Sequence, residues 1–329
     1  MTTTTPPLAS CRPAFGRHHG YPPRQDWLKK VHTELSKNPR LFDNTEKATV
    51  TLGVGSSMVP SLRFWAEAFG LIARSPIYDR ALEPTARAHW LLDDETGADP
   101  YTEHPATLWL LHWWLLSDRP CAVPSWYYLF AESPISRFTR TELRAYIQRA
   151  VQRTGWATPS QRTLARDIAC MATMYAPQVG SVDQPRASIE DVLLNPFRDL
   201  NLLSTAVPET HRRGDRSHEI RVNRGAGRAA PSTVLLYACL DYASRDTAAP
   251  GSTALARLAS GPGSPGRVML LDGGALRRAL EREAARRPPV AVMESDAGEW
   301  VLAYAEPPAL LADQVLADTF NLPGGPGEF

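Results

Sequence analysis

The acidic side chains between residues 93 and 103 form the densest group in the sequence that could carry out hydrolysis. These carboxylates are Asp93, Asp94, Glu95, Asp99 and Glu103. Carboxylates that converge on Mg²⁺ or Mn²⁺ can hold a metal-bound water for attack on a phosphodiester. We take Asp99 and Glu103 as the candidate metal ligands, because Asp99 leaves the acidic stretch and leads into an apolar segment. A solvated acidic turn explains the same residues without catalysis.

Two histidines could assist such a reaction. His18 follows Arg17 in a basic segment, a setting that suits phosphate contact or proton transfer at a scissile phosphate. His112 lies at the centre of LWLLHWWLL, where the alternative is a core histidine with hydrogen-bond partners inside the protein. The candidate catalytic residues are therefore Asp99, Glu103, His112 and His18.

The stretch LGVGSSMVPSLRFWAEAFGLI, residues 52–72, could be a phosphate-binding loop or the turn between two helices. A dinucleotide-binding loop needs a third glycine where Met58 stands, and a Walker loop needs a lysine after the glycine. The apolar spacing around Gly53 instead fits a helix-turn-helix whose second helix has Ser57 as its N-cap. A turn that only packs against protein is the alternative. The candidate DNA contacts in this stretch are Ser56, Ser57 and Arg63.

Basic side chains are concentrated in two parts of a chain whose net charge is only +1. Residues 12–40 contain seven basic side chains against Asp26 and Glu34, and residues 137–166 contain seven arginines against Glu142. Because the whole chain is almost neutral, attraction to nucleic acid must come from such local surfaces. Solvated helix faces are the alternative. The candidate DNA contacts in these parts are Arg17, Arg24, Lys29, Lys30, Arg140 and Arg144.

Helices and short hairpins must position these residues. Apolar periodicity predicts a mainly α fold with small β-hairpins (α+β), in which winged-helix-like units flank a helical middle. ARAHWLL is expected to be a strand of the first hairpin, and LWLLHWWLL a buried helix. The predicted divisions are a disordered tail (1–11), a winged-helix-like DNA-binding domain (12–104), a helical domain with a basic face (105–200), a mobile Arg/Gly-rich loop (201–230) and a C-terminal winged-helix-like domain (231–329).

Cysteine spacing and hydropathy bear on the cellular compartment. The four cysteines lie far apart without a C-x-x-C pair, which favours reduced, buried thiols over disulfides or a zinc framework. The start MTTTTPPLAS lacks the basic end and apolar core of a signal peptide. The most apolar run, residues 108–116, is far shorter than the roughly 20 residues that cross a bilayer. We expect a cytoplasmic protein with no membrane partner.

Three stretches together resemble a known family: FGRHHGYPPRQDWLKK, LGVGSSMVPSLRFWAEAFGLI and DPYTEHPATLWLLHWWLL. They are similar to the SspB family, the DNA nickases of bacterial single-stranded DNA phosphorothioation systems. The resemblance covers residues 14–200 well and the C-terminal part loosely. Two positions depart from the family pattern. His19 replaces an acidic residue, which removes a carboxylate there, and Ser56-Ser57 replaces a Lys-Asn pair, which weakens the grip on phosphate at the turn.

The resemblance implies a nick that gives access for replacing a non-bridging phosphate oxygen by sulfur. The implied partners are a cysteine desulfurase, an ATP-dependent sulfur-transfer enzyme and an ATPase, in a system that marks host DNA and supports anti-phage defence. The first hypothesis is therefore a divalent-metal-dependent endonuclease that nicks double-stranded DNA. The alternative is a non-catalytic DNA-binding adaptor that recruits the modification enzymes. A homodimer would suit a palindromic site, although nothing in the sequence requires one.

Overall fold

The computed structural model describes residues 8–176, 194–206 and 219–327. The helices of these residues are α1 (Trp27–Lys37), α2 (Thr45–Leu52), α3 (Val59–Ala68), α4 (Ala86–Leu92), α5 (Pro105–Ser117), α6 (Pro124–Tyr127), α7 (Arg140–Gln152), α8 (Gln161–Tyr175), α9 (Ser232–Ser244), α10 (Leu255–Ser260), α11 (Pro265–Val268), α12 (Gly273–Ala284) and α13 (Pro308–Phe320). The strands are β1 (Ile72–Arg74), β2 (Leu82–Pro84), β3 (Arg137–Phe138), β4 (Leu203–Ala206), β5 (Glu219–Val222), β6 (Gly251–Ala254), β7 (Val290–Glu294) and β8 (Trp300–Tyr304). The predicted α+β class is confirmed.

Helix α5 is buried on all sides because its sequence is apolar all round. The indole nitrogens of Trp113 and Trp114 each find a partner on a neighbouring helix. The Trp113 indole donates a hydrogen bond to Asp241 at 2.9 Å, and the Trp114 indole donates one to the Tyr237 hydroxyl at 2.8 Å. These two bonds join the helix to α9, in the C-terminal part of the chain.

The first three helices are followed by a two-stranded hairpin. Asn44 caps α2, and Gly53 closes it in the left-handed conformation, with φ of 63°. Helix α3 has Met58 rather than the predicted Ser57 as its N-cap. Strands β1 and β2 then pair antiparallel. Helix, helix, helix and hairpin occur in the predicted order, and their interpretation as a winged helix stays a prediction.

The segment ARAHWLL was predicted as a strand and is helix α4 instead. The side chain of Thr85 accepts a hydrogen bond from the backbone N–H of Ala88 and so caps the first turn. Trp90, Leu91 and Leu92 are all buried, a run of consecutive apolar residues that does not alternate as a half-exposed strand would. The hairpin is therefore only the pair of three-residue strands before this helix.

The helical middle contains α7 and α8, which pack against each other. The predicted capping box of Thr139 and Glu142 is present at the start of α7, and Ser160 caps α8. Strand β5 pairs with both β3 and β4 in an antiparallel sheet. The prediction of a mobile loop over 201–230 is therefore wrong for β4 and β5, which are strands within that range. Residues 207–218 lie outside the described part of the chain.

The C-terminal part has a three-stranded antiparallel sheet in the order β6-β8-β7. Helices α10, α11 and α12 lie between its first and second strands along the chain. The last helix, α13, was not predicted and packs along α9. At the other end of the chain, Leu8 and Cys11 are buried, so these residues of the predicted tail are ordered. No helix within the described ranges has both the length and the apolar character needed to cross a bilayer.

Candidate nucleic-acid interface

An open cleft of about 620 Å³ lies between helix α3 and residues 12–21, the basic loop that we call the arginine loop. Its charged and titratable lining residues are Arg12, Arg17, His19, Arg63, Glu67 and Arg74. Arg63 donates a hydrogen bond to Glu67 at 2.8 Å, which uses the only carboxylate of this lining. Arg12, Arg17 and Arg74 are exposed and form no ion pair with any residue that the structure describes. The cleft therefore carries three unneutralised guanidinium groups.

The buried carboxylate of Asp167 anchors the basic loop to α8. It accepts hydrogen bonds from the Gly16 backbone N–H at 2.8 Å, the His18 ring at 3.0 Å and the Ser125 hydroxyl at 2.6 Å. The Gly20 backbone N–H donates to His18 Nδ1, so the hydrogen that His18 gives Asp167 is on Nε2. His18 thus holds the loop, and its ring is 1% exposed.

Aromatic rings enclose this anchor. The His18 ring stacks on Trp65 of α3, with ring centroids 6.1 Å apart, and meets the edge of Trp126 at 5.4 Å. The indole of Trp65 also donates to the backbone carbonyl of Tyr21 at 2.8 Å, at the end of the loop. Because Gly16 is bound to α8 and Tyr21 to α3, Arg17 between them stands on a fixed backbone.

Arg166 of α8 continues the basic lining beyond the cleft. Its side chain lies against Gly20, where an added Cβ would be 3.8 Å from it. Burial lowers the pKa of His19, and the positive charge of Arg166 lowers it further. Arg166 is exposed and makes no ion pair within the described chain. We call Arg12, Arg17, Arg74 and Arg166 the arginine surface.

A second opening of about 500 Å³ adjoins the arginine surface at Arg17. Phe15 and Trp156 line it, with their rings edge to face at 6.4 Å. Trp156 lies in the connection between α7 and α8, so the surface reaches the helical middle. On α7, Arg140 is exposed and Arg144 half-buried, and neither has an ion-pair partner among the residues described.

The remaining predicted DNA contacts lie in different settings. Lys30, Ser56 and Ser57 are exposed, and the Ser57 hydroxyl is 3.1 Å from the Tyr21 hydroxyl. The ammonium of Lys29 donates to the Leu92 carbonyl at 2.7 Å and pairs with Asp94 at 2.7 Å, so it is engaged within the protein. The guanidinium of Arg24 lies over the Trp27 ring at 5.6 Å.

Asp99 has a positioning role at the start of α5. Its carboxylate accepts hydrogen bonds from the backbone N–H groups of Glu103 and His104, both at 2.9 Å, and from the hydroxyl of Thr107. It is 7% exposed. The Glu103 side chain is exposed, and this residue meets Asp99 through its backbone. The two predicted metal ligands are therefore neighbours, but the oxygens of Asp99 already serve the helix terminus.

His112 is wholly buried within α5. Its Nδ1 is 2.8 Å from the Tyr175 hydroxyl, and its Nε2 is 3.0 Å from the Val268 carbonyl. A carbonyl can only accept, so Nε2 carries the hydrogen and Tyr175 donates to Nδ1. Burial lowers the pKa of His112 to about 4. The ring is a neutral link between three elements of the core, and it shares no hydrogen-bond partner with His18.

A group of metal-ligating side chains that was not predicted lies between α1 and α4. Among the described residues it is the one group of three or more such side chains close enough to share an ion: His32, His89 and Asp93. Imidazole nitrogens suit zinc, iron or nickel, whereas Mg²⁺ prefers an all-oxygen set. Neither this group nor Asp99 with Glu103 offers a set of free oxygens that fits Mg²⁺.

Asp167 and His32 had a recognisable signal in the sequence. Asp167 lies on the apolar face of α8 together with Leu164 and Met171, and His32 lies beside Val31 and Leu35 on the buried face of α1. A polar residue at a core position of an amphipathic helix must find a partner. The identity of that partner depends on the fold, so the sequence could mark these positions without explaining them.

The fold and the interface define an α+β protein whose N-terminal arginine loop is anchored to a helical middle. A family model described as "Protein of unknown function (DUF4007)" matches residues 15–320. Two solved structures, a crystal structure of SspB and a magnesium ion-bound crystal structure of SspB, are each 37% identical in sequence. In both cases 95% of this chain and 90% of the other are covered, with a TM-score of 0.84. No curated protein sequence matches. The chain belongs to the SspB family, as its three stretches predicted.

Proposed function

We propose that this chain binds double-stranded DNA through the arginine surface, as a component of a bacterial DNA phosphorothioate modification and anti-phage defence system. The observation that carries the proposal is a set of four exposed arginines without ion-pair partners in the described chain. Arg12 and Arg17 lie on the loop that Asp167 anchors, Arg74 lies on β1 and Arg166 on α8. Guanidinium groups are well suited to phosphate oxygens, because their planar donors bind two oxygens at once. Membership of the SspB family supports the assignment to this system.

The test is DNA binding measured over a series of salt concentrations. Replacing Arg17 or Arg166 by glutamine should weaken binding and lower the slope of log K against log salt by about one for each phosphate that the variant no longer neutralises. Arg286→Gln is the matched control, because this exposed arginine of the C-terminal part lies 3.7 Å from Glu283 and outside the arginine surface. No binding at low salt, or equally weakened binding in all three variants, would contradict the proposal.

We further propose that the bound DNA is nicked on one strand with the help of Mg²⁺ or Mn²⁺. The resemblance to the SspB nickases supports this activity, and one SspB crystal structure holds a magnesium ion. Supercoiled plasmid incubated with the protein and either metal should yield open-circular DNA, and EDTA should prevent it. Glu103→Gln is the informative variant, because it removes an exposed carboxylate while the backbone N–H that Asp99 binds remains.

The engagement of Asp99, His18 and His112 in internal hydrogen bonds favours the second candidate, a non-catalytic adaptor. Such a protein would bring DNA to the cysteine desulfurase, the ATP-dependent sulfur-transfer enzyme and the ATPase of the system. It would bind plasmid with the salt dependence above and leave it supercoiled with either metal. If wild type nicks the plasmid and Glu103→Gln nicks it equally well, the protein is an enzyme whose metal ligands do not include Glu103.

A further inference from the structure

The geometry of His32, His89 and Asp93 points to a binding site for a first-row transition metal of the zinc type, which we propose as a second site independent of DNA binding. The ligand atoms of the three side chains all lie within 4.8 Å of one another. His32 Nε2 and His89 Nδ1 are 3.1 Å apart. Two imidazole nitrogens bound to one tetrahedral Zn²⁺ at about 2.0–2.1 Å are separated by about 3.3 Å, which is close to this distance.

Two helices supply the ligands. His32 is buried on α1, whereas His89 lies on α4 and Asp93 is the C-cap of α4. Positions four apart share one face of a helix, so His89 and Asp93 face α1 together. His89 is exposed, which gives an ion a path from solvent. A bound metal would therefore join α1 to α4.

Hydrogen bonds already orient the carboxylate of Asp93. One of its oxygens accepts from the backbone N–H groups of Glu95 and Thr96, at 3.0 and 2.9 Å, and from the Thr96 hydroxyl at 3.0 Å. These three bonds fix the direction in which the carboxylate points. The other oxygen has no hydrogen-bond partner among the described residues and is free to bind a cation. Supporting bonds of this kind orient metal ligands in many sites.

The hydrogen bond between the two imidazole rings also suits a metal. The pair shares one N–H between Nε2 of His32 and Nδ1 of His89. On binding a metal, that proton moves to the far nitrogen of its own ring, and no proton has to leave the protein. The positive charge of the nearby Lys29 ammonium, which would repel a cation, is neutralised by Asp94 at 2.7 Å.

The donor set distinguishes between metals. Two nitrogens and one carboxylate, with water in the remaining position, are a common arrangement for Zn²⁺ and for other imidazole-binding metals. Mg²⁺ keeps its water and selects oxygen ligands, so it should bind here far more weakly. The site is thus distinct in chemistry from any magnesium site used in nicking.

The test is calorimetric titration of the untagged, chelator-treated full-length protein with Zn²⁺ and, separately, with Mg²⁺. We expect one Zn²⁺ per chain and a Zn²⁺ affinity that falls more than about 100-fold in His89→Ala, since removal of a residue that only supports a ligand already costs 10–100-fold. Asp93→Asn should also weaken binding. Glu95→Gln is the control, because it removes a neighbouring exposed carboxylate and keeps the backbone N–H that Asp93 binds.

Two further readouts separate loss of the metal from loss of the fold. Co²⁺ should give the visible absorption of a tetrahedral site in wild type and in Glu95→Gln, and none in His89→Ala. Zn²⁺ should raise the Tm of wild type but leave that of His89→Ala unchanged. If wild type binds no Zn²⁺, or if His89→Ala binds it equally well, the site does not exist and the histidines form only a hydrogen-bonded pair.

Discussion

Single buried polar residues determine how the candidate interface is built. Asp167, His18, Asp99 and His112 are each nearly inaccessible, and each has hydrogen-bond partners from more than one segment of the chain or from a helix terminus. Removing one partner from such a group leaves the others unsatisfied in a low-dielectric interior. All four residues therefore affect stability, and Asp167 and His18 also determine the geometry of the candidate interface.

Asp167→Asn should destabilise the protein by about 1–2 kcal/mol, because the bonds from Gly16 and His18 lose the charge of the carboxylate and the Ser125 hydroxyl must turn from donor to acceptor. The arginine loop should then detach from α8, so DNA affinity should fall as well. Urea unfolding and DNA binding measure the two effects. Asp79→Asn, at a carboxylate that is 93% exposed, is the control and should change neither. Unchanged stability in Asp167→Asn would contradict the anchoring role.

His112 should make the protein less stable in mild acid. Its pKa is about 4 in the folded state, against 6.5 for an ordinary histidine. Below pH 6.5 the unfolded chain gains a proton that the folded chain does not accept, so the stabilisation is complete above pH 6.5 and is lost as the pH falls toward 4. The loss amounts to about 3 kcal/mol. Urea unfolding at several pH values should show that the free energy of unfolding depends less steeply on pH in His112→Gln than in wild type. Parallel curves for the two proteins would refute this role of His112.

At the scale of elements, the sequence specified most of the helices but not all of their partners. Strong local signals were sufficient for α5, which is continuously apolar, and for α7, whose Thr139–Glu142 capping box is present. The segment 86–92 was misassigned as a strand because seven residues are too few to distinguish the apolar spacing of a helix from that of a strand. The arginine loop and the helices were predicted separately. Their meeting at Asp167 depends on tertiary contacts over about 150 positions, which no local pattern encodes.

The turn after α2 can be tested through its glycines. Gly53 has a φ of 63°, and a Cβ added there would meet no atom within 4 Å, so its cost would come from the backbone alone. Gly53→Ala should lose about 1–2 kcal/mol, and Gly53→Asn less, because asparagine adopts the left-handed region more readily. Gly55 also has open space around it but no positive φ, so Gly55→Ala is the control and should be neutral or slightly stabilising. Thermal unfolding measures all three, and equal effects at the two glycines would contradict this account.

At the scale of the whole molecule, the described core is continuous from Leu8 to Phe320. Packing against α4 and α5 accounts for much of this continuity. The Trp90 indole donates to the Gly324 carbonyl at 2.9 Å, and the Phe320 ring meets that of Trp90 edge to face at 5.3 Å. Residues near the C-terminus therefore pack against α4, and α4 also packs against α1 of the N-terminal part.

A scanning calorimetry experiment should accordingly show one main unfolding transition, since parts that share a core lose their packing together. The Trp90→Phe variant, which leaves the Gly324 carbonyl without its donor, should shift that transition as a whole to lower temperature. Two resolved transitions, of which only one responds to this substitution, would instead support independent domains at 12–104 and 231–329.

The anchored loop has a further consequence for the speed and strength of association. A flexible arginine tail loses conformational entropy when phosphates order it, and that loss subtracts from affinity. Here the Gly16 and Gly20 backbone amides are already fixed by Asp167 and His18 before any ligand arrives. The guanidinium groups still have side-chain freedom, but the backbone beneath them is ordered in advance. An anionic ligand would therefore meet a rigid template rather than a segment that it must first fold.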